Sequence, residues 1–555
     1  MSGTQAPGAA TPRPIRAVGT QAFLVECASL ADVMAVHAHL VAHPERGQRQ
    51  VLSAARTVLV TFTSQAAAQH AAPRVAALDP DAQDRDAGRT VEIPVVYDGE
   101  DVAEVGRLTG LSPEAVVRAH VETDWFAAFG GFAPGFLYCA AEAPPFDVPR
   151  RDSPRTAVPA GAVAVAGQLS AVYPRTSPGG WQLLGHTDAV MWDLGRERPA
   201  LLEPGDRVRY VPVRAEAVRG AAPAAEAPAE DTLVAAHTPD AGEASAPGLT
   251  VADPGLFTLL QDLGRPGLGD LGVVASGAAD RDAARQANRL VGNASGEAVL
   301  ETVLGGLALT ARGDQVLALA GAEATGVVTG PGGVARPVSP RTPFPLLDGE
   351  TLTVQEPTAG LRVYVGVRGG LEAPRTLGSR ATDTLSGLGP APLTAGQALA
   401  RRADLDAPRA GVVPVGDPEA PLRPMPAPGG TAVLRVVPGP RDDWFGPAGL
   451  ERLTAQEWAV SQQTDRIGVR LTAGEAGPLE RIRTGELASE GAVRGALQVP
   501  PSGEPVLFLA DHPVTGGYPV IGVVARADLG LAAQLPPGAR VRFVLHPQPS
   551  QEPTA

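Results

Sequence analysis

Arg175-Thr-Ser-Pro-Gly-Gly-Trp-Gln-Leu-Leu-Gly185 (RTSPGGWQLLG) returns in altered form at Pro513 to Gly522 (PVTGGYPVIG). Both stretches read Gly-Gly-aromatic, one residue, two apolar residues, Gly. Paired glycines permit a tight turn with positive φ, and the aromatic that follows packs against a core or lines a cavity. A Val-Pro corner accompanies each, Val158-Pro159 and Val499-Pro500. The repetition predicts two related β-barrels, one in each half of the chain, with Trp181 and Tyr518 at equivalent corners.

The surroundings of the first stretch support a closed β structure. Short alternating runs such as VPAGAVAVAG are punctuated by Gly and Pro, which is barrel texture rather than that of a parallel sheet with helices. Upstream the chain reads differently. Ala17 to Cys27 reads as one strand, Ser29 opens a helix with Asp32 at its third position, and TVLVTF and VEIPVVYD are β-branched strands. Ser112-Pro113-Glu114 starts another helix that runs into EAVVRAHVETDWFAAF. Arg214 to Pro247 is rich in Ala, Pro and Glu without periodicity, the composition of a disordered linker. Beyond it, GAADRDAARQANRLVG places Ala283, Ala284, Ala287, Leu290 and Val291 at helical spacing, with Gly292 as a stop. The predicted order is a disordered head (1–15), an α/β unit (16–90), a barrel (91–213), the linker (214–247), a barrel (248–406), a Pro-rich connector (407–430), a last barrel (431–546) and a tail (547–555).

A chain of 555 residues exceeds what one core accommodates, so several domains are required. With 44% hydrophobic and 19% charged residues the balance is globular, and no apolar run is long enough to suggest a membrane span. The opening MSGTQAPGAATPRPIRAVG lacks an apolar signal core, which makes the cytoplasm the expected location. A net charge of −14 argues against wrapping nucleic acid. Cys27 and Cys139 are too few for a disulfide framework or a Cys-rich metal site, and no metal is expected. Lysine is missing altogether, so all 46 basic residues are arginine. A Schiff-base lysine, a lysine-bearing phosphate loop and a covalently attached biotin are therefore excluded from this chain.

Several residues carry candidate chemistry. His37, His39 and His43 fall on different faces of the first helix and read as surface residues, not as a zinc set. His120 ends a helix beside a Gly-rich turn, and reads equally as a structural or a proton-transfer histidine. Arg150, Arg151 and Arg155 stand between prolines that restrict the backbone, which suits bidentate anion binding or simply a solvated loop. SQQTDRIGVR, from Ser461, offers hydroxyl, amide, carboxylate and guanidinium groups in ten residues.

In GGFAPGFLYC, VPRRDSPRTAVPAGAVAVAGQLSAVYPRTSPGGWQLLGHT, GLFTLLQDLGRPG, VASGAADRDAARQANRLVGN, LGSRATD, VVPGP, VSQQTDRIGVRL and LADHPVTGGYPVIGVV the chain resembles a known pair of families. The first two segments resemble the B subunit of bacterial ATP-dependent 5-oxoprolinase, the allophanate hydrolase subunit 1 type. The others resemble its C subunit, the allophanate hydrolase subunit 2 or biotin-dependent carboxyltransferase type. The resemblance implies a natural B–C fusion, mostly β with an N-terminal α/β domain followed by cyclophilin-like β-barrels, one in the B half and two in the C half. It further implies ATP-driven cleavage of 5-oxoproline to glutamate with a separate A subunit, ATP being bound by one chain or the other. Two alternatives come with it: the carboxyltransferase part of a biotin-dependent urea or amide carboxylase, and a regulator of a histidine kinase. Departures from the B-type pattern are Leu169-Ser170-Ala171 in place of Gln-Thr-Gly and His186 in place of Arg; Pro501 replaces a Gly of the C-type pattern. Under the resemblance the site lies between the B-type barrel and the C-type module. His120, Asp465 and Arg466 are then the candidate catalytic groups, with Arg155, Tyr173, Gly179, Gly180, Trp181, Gln463, Gly516, Gly517 and Tyr518 binding a small amide substrate. Nucleic acid and membrane are not expected partners, and a homo-oligomer is compatible with the sequence.

Overall fold

The computed structural model describes residues 12–79, 88–151, 153–214, 247–402 and 419–546. The expected disordered head, the linker and the tail fall, save a few edge residues, outside the described residues, as does the first part of the Pro-rich connector. Among the described residues no helix is long and apolar enough to cross a membrane.

The first unit is a four-stranded antiparallel sheet in the order Ile15–Ala17, Ala22–Glu26, Thr57–Phe62, Gln48–Ser53, with helices Leu30–Ala42 and Gln65–Ala76. The stretch expected as one strand from Ala17 to Cys27 is instead the second half of a hairpin: Gly19 adopts φ +66 and Val18 N–H donates to Ala22 O at 2.9 Å, turning the chain back. The Ser29 cap is present, its Oγ accepting from Asp32 N–H at 3.1 Å. One face of the sheet and the two helices bury Phe23, Val25, Val33, Leu40, Val60 and Phe62.

The second unit is a seven-stranded sheet in the order Gln182–His186, Ala162–Ala166, Leu169–Val172, Leu137–Ala140, Trp125–Gly130, Arg207–Pro212, Thr90–Val95. Its edges meet through a bridge between Val96 and His186. The helix starting at Pro113 stops at Glu122, and DWFAAF, expected to continue it, supplies a strand. Trp125, Phe126 and Phe129 favour the pleated surface, and tertiary pairing outweighs the helical pattern there.

Residues 419–546 repeat this design as a closed barrel of Thr431–Pro438, Val520–Val524, Ala496–Gln498, Val506–Phe508, Gly468–Thr472, Glu457–Val460 and Arg540–Leu545. The cyclic order is the same, and in both units the first strand pairs in parallel with the last. Even the irregularity coincides. A register shift lies between Leu183 and Gly185 in one barrel and between Leu497 and Gln498, opposite Gly522 and Val520, in the other. Trp125 Nε1 donates to the carbonyl of His120, and Trp458 Nε1 donates to that of Leu453, each five residues back in the preceding helix. His120 and Leu453 are thus equivalent core positions. Trp181 and Tyr518 do occupy matching corners, each between a short strand and the last-but-one strand of its barrel. The Val-Pro corners do not match: Val158-Pro159 precedes the strand Ala162–Ala166, whereas Val499-Pro500 follows the equivalent strand Ala496–Gln498.

Between the barrels, residues 247–402 form a six-stranded and a five-stranded sheet that share one core, including Leu249, Leu309, Leu352, Leu317, Val363 and Val365. The helix Arg281–Leu290, capped by Asp280, packs against strands Gln315–Gly321 and Arg362–Val367. A separate apolar cluster of Val18, Leu24, Leu52, Leu59, Val274, Val514 and Val523 joins the first unit to the C-terminal half. Around it Arg441 bridges Glu26 and Glu490, and His37 Nε2 meets Asp270 Oδ2 at 3.0 Å. His37 is therefore a buried interface residue and not the surface histidine expected from its helix alone.

Candidate functional site

The seam closes an apolar floor but leaves a cleft of about 300 Å³ above it, lined by the 18–22 turn, the start of helix Arg281–Leu290 and two turns of the last barrel. Gly19 is favoured here by its left-handed backbone, and a Cβ in its place would stand 3.1 Å from Val523 Cγ1 and press that methyl aside.

Five arginines reach this cleft: Arg49 from strand Gln48–Ser53, Arg281 and Arg285 from the helix, Arg494 from the turn before Ala496–Gln498, and Arg526 after Val520–Val524. A single carboxylate, Asp282, joins them, and it already bonds Arg285 and Arg423 at 3.1 Å each. The remaining bonds go to neutral groups. Arg281 donates to Ser276 O at 3.0 Å, Arg494 to Ala279 O, and Arg526 to Gln21 Oε1 at 2.7 Å. Burial pushes the Arg281 guanidinium down to about 9, and the charges of Arg494, Arg285, Arg526 and Arg49 add to the shift. Arg494 is lowered too, again chiefly by burial. Behind them His512 stacks on Phe508 at 5.7 Å and is held neutral, pushed down to about 4 by burial with help from Arg494 and Arg281. Clustered, partly desolvated positive charge of this kind is a device for holding an anion.

The residues singled out from the sequence fall into three groups. Gly516 and Tyr518 line a narrow niche that shares Val18 and Val493 with the cleft, and Gly517 lies between them. Tyr518 is 46% exposed and lies under the Arg481 guanidinium at 5.7 Å, whereas its counterpart Trp181 is buried against Phe136 and Tyr138.

The second group stays inside the first barrel and does not line the cleft. His120 is fully buried, its Nδ1 at 2.8 Å from Tyr97 Oη and its Nε2 at 2.8 Å from Ser170 Oγ. Arg155 meets Asp101 at 2.9 Å and Glu100 at 3.1 Å, and Arg151 meets Asp101 at 2.8 Å, so these guanidiniums are already neutralised. Tyr173 is buried and packs edge-on to Phe136 at 5.3 Å. The glycine pairs 179–180 and 516–517 do not have positive φ. Close approach is what they allow: a Cβ on Gly179 would run into Tyr173 Oη, and one on Gly516 into Gln498 Nε2. Gly179→Ala is accordingly expected to destabilise the protein by about 1–3 kcal/mol, while Gly180→Ala, whose nearest neighbour would lie at 3.7 Å, stays within about 0.5 kcal/mol of wild type. Urea denaturation of the two variants checks this contrast.

The third group is the 461–467 loop. Gln463 and Asp465 are exposed, and Asp465 Oδ1 accepts from Ile467 and Gly468 N–H at 2.8 and 2.9 Å to shape the turn. Arg466 is buried 3% exposed between Asp511 and Glu301, tying the last barrel to the preceding sheets. Sequence reading missed the cleft arginines. Arg281 and Arg285 sit in the GAADRDAARQANRL helix and Arg494 in EGAVRGALQVP, but nothing in their spacing tells that three distant segments meet.

Comparison with known proteins follows the same division. Residues 13–202 match the family described as "Carboxyltransferase domain, subdomain C and D", and residues 271–545 match "Carboxyltransferase domain, subdomain A and B". Over 307 residues the chain is 33% identical to the C subunit of 5-oxoprolinase from Escherichia coli (strain K12), covering 53% of this chain and 90% of that one. Over a further 127 residues the chain is 46% identical to the B subunit of 5-oxoprolinase from Escherichia coli O157:H7, covering 22% of this chain and 58% of that relative. The crystal structure of TTHA0988 superposes with a TM-score of 0.77 at 34% identity, over 94% of this chain and 99% of its own. The chain belongs to the carboxyltransferase-domain family, with subdomains C and D preceding subdomains A and B in a single polypeptide.

Proposed function

We propose that the chain is the fused B–C component of an ATP-dependent 5-oxoprolinase-type hydrolase that works with a separate A-type subunit. The observation that carries this reading is that a B-type part and a C-type part, joined in one chain, both contribute arginines to one cleft. A lactam is a poor electrophile. Phosphorylating its carbonyl oxygen opens the carbon to water, and the overall change converts 5-oxoproline, ATP and two waters into glutamate, ADP and phosphate. Such a reaction gathers negative charge from a substrate carboxylate and a phosphoryl group. Guanidiniums fixed before the reaction stabilise that charge without reorganising. Arginine alone can supply it in a chain without lysine.

The test is reconstitution. The purified chain mixed with a cognate A-type subunit, 5-oxoproline and ATP is expected to release glutamate and ADP in equal amounts, with little turnover from either protein alone. Two folded proteins that together give no glutamate would overturn the reading.

A further inference from the structure

Several buried arginines of this protein meet carboxylates. Arg466 lies between Asp511 and Glu301, Arg441 between Glu490 and Glu26, and Arg402 bonds Glu297 at 2.7 Å. The two innermost arginines of the cleft, partly buried, have no such partner, and unlike Arg265, which also bonds only backbone carbonyls, they stand among other guanidiniums. Arg281 and Arg494 bond only backbone carbonyls, and the Nε atom of each is buried without a hydrogen-bond partner. Arg285, Arg526 and Arg49 stand around them with Asp282 as the only acidic residue of the lining. A buried guanidinium nitrogen left unbonded costs free energy comparable to a lost charge-assisted hydrogen bond, and like charges at close quarters add to that cost. An anion that enters the cleft offsets both.

Size and charge narrow the class of anion. A volume of about 300 Å³ is at the lower end of ligand pockets, enough for a small molecule. A carboxylate presents two coplanar oxygens and one charge, which a single guanidinium can satisfy in a fork. Here the donors come from three units of the chain: strand Gln48–Ser53, the helix starting at Arg281, and two turns of the last barrel. That arrangement suits a tetrahedral group with several oxygens and two charges.

We propose that this cleft is a phosphoryl-binding site, with Arg281 and Arg494 as its principal ligands and Arg285, Arg526 and Arg49 neutralising the second charge. The group arrives either as phosphate on a small molecule or as part of a nucleotide. The proposal rests on the preceding functional reading only for which molecule carries the phosphoryl group, because binding is measured on this chain alone and without turnover.

Isothermal titration calorimetry of the full chain with inorganic phosphate, with ATP and with 5-oxoproline tests it. Phosphate is expected to bind, and Arg494→Gln or Arg281→Gln to weaken it by about ten- to a hundredfold. Arg526→Gln, at a more exposed position, is expected to weaken it less and serves if the buried variants fail to fold. Arg452→Gln, whose side chain pairs with Glu480 elsewhere on the surface, should leave binding unchanged. ATP binding tighter than phosphate, with the same losses in the variants, would support the site and identify a nucleotide as the source. Wild-type protein that binds neither phosphate nor ATP, binding that survives the cleft substitutions, or 5-oxoproline binding alone would overturn it. Because none of these arms measures turnover, an inactive mixture with the A-type subunit and an empty titration are distinct failures.

Discussion

Replacing Arg466 with methionine is expected to destabilise the protein by about 3–5 kcal/mol, the cost of leaving buried carboxylates without their counter-charge. The guanidinium donates from Nε to Asp511 Oδ2 at 2.9 Å, from Nη2 to Asp511 Oδ1 at 3.0 Å and to Gly277 O at 2.7 Å, and from Nη1 to Glu301 Oε1. Burial would lower its pKa, but the two carboxylates more than reverse this and raise it. In the variant, Asp511 keeps Ser276 Oγ at 2.6 Å and Thr384 Oγ1 at 2.7 Å, and Glu301 keeps Tyr364 Oη at 2.9 Å and Ala279 N–H at 2.8 Å. These neutral donors satisfy lone pairs but do not cancel charge. Urea denaturation measures the loss; a variant within about 1 kcal/mol of wild type would contradict this account. Combining the substitution with Asp511→Asn and Glu301→Gln is expected to recover much of it, since the neutral amides no longer need the arginine. The same variant separates two roles for Arg466. A residue that clamps the last barrel to the preceding sheets loses stability on substitution and regains it in the triple variant, whereas one that touches substrate regains none of its activity there.

The outline of this fold was legible in the sequence because it rests on local signals. Ser29 and Ser112 marked helix starts, the Ala spacing after Asp280 marked the helix Arg281–Leu290, and the echo of SPGGW in TGGY marked two barrels that share strand order and a register shift. What the echo concealed was its physical cause. Glycines 179 and 516 are there for close approach to Tyr173 and Gln498, not for backbone handedness, and only the folded chain reveals such neighbours. The site was less legible. Arg155 reads as a substrate anchor and Arg466 as a catalytic group because the sequence hides their partners, Asp101 at 54 and Asp511 at 45 residues' remove. Arg281 and Arg494 bond no carboxylate, and their meeting follows from the packing of three units, which no local pattern encodes. His120 was undecided between structure and catalysis for the same reason. Its equivalence to Leu453 is visible only once both barrels are laid strand on strand.

Acidification from pH 6.5 towards 3 is expected to remove stability on the order of 4 kcal/mol through His120 alone. Burial among Tyr97, Trp125, Ser170 and Tyr210 pushes its pKa from the ordinary 6.5 down to about 3. Below pH 6.5 the unfolded chain therefore takes up a proton that the folded chain refuses until about pH 3. The contribution is complete above pH 6.5 and is lost as pH falls through that window. His512, pushed down to about 4, acts in the same direction over a narrower range. The check is His120→Leu, the residue that the second barrel carries at the equivalent position. At pH 7.5 it is expected to cost about 1–3 kcal/mol, because Tyr97 Oη loses its ring partner while Ser170 Oγ still donates to Tyr210 Oη at 3.1 Å. Between pH 6 and 4 its stability should fall less steeply than that of wild type, by about one proton in the slope. Parallel curves would show that His120 does not carry the acid sensitivity. With burial holding it neutral near pH 7 and both ring nitrogens engaged by Tyr97 and Ser170, a proton-transfer role for His120 would require those hydrogen bonds to open. In a reconstituted enzyme the variant is therefore expected to retain the wild-type pH profile of kcat/KM near neutrality; loss of a titrating limb between pH 6 and 8 would return His120 to the reaction.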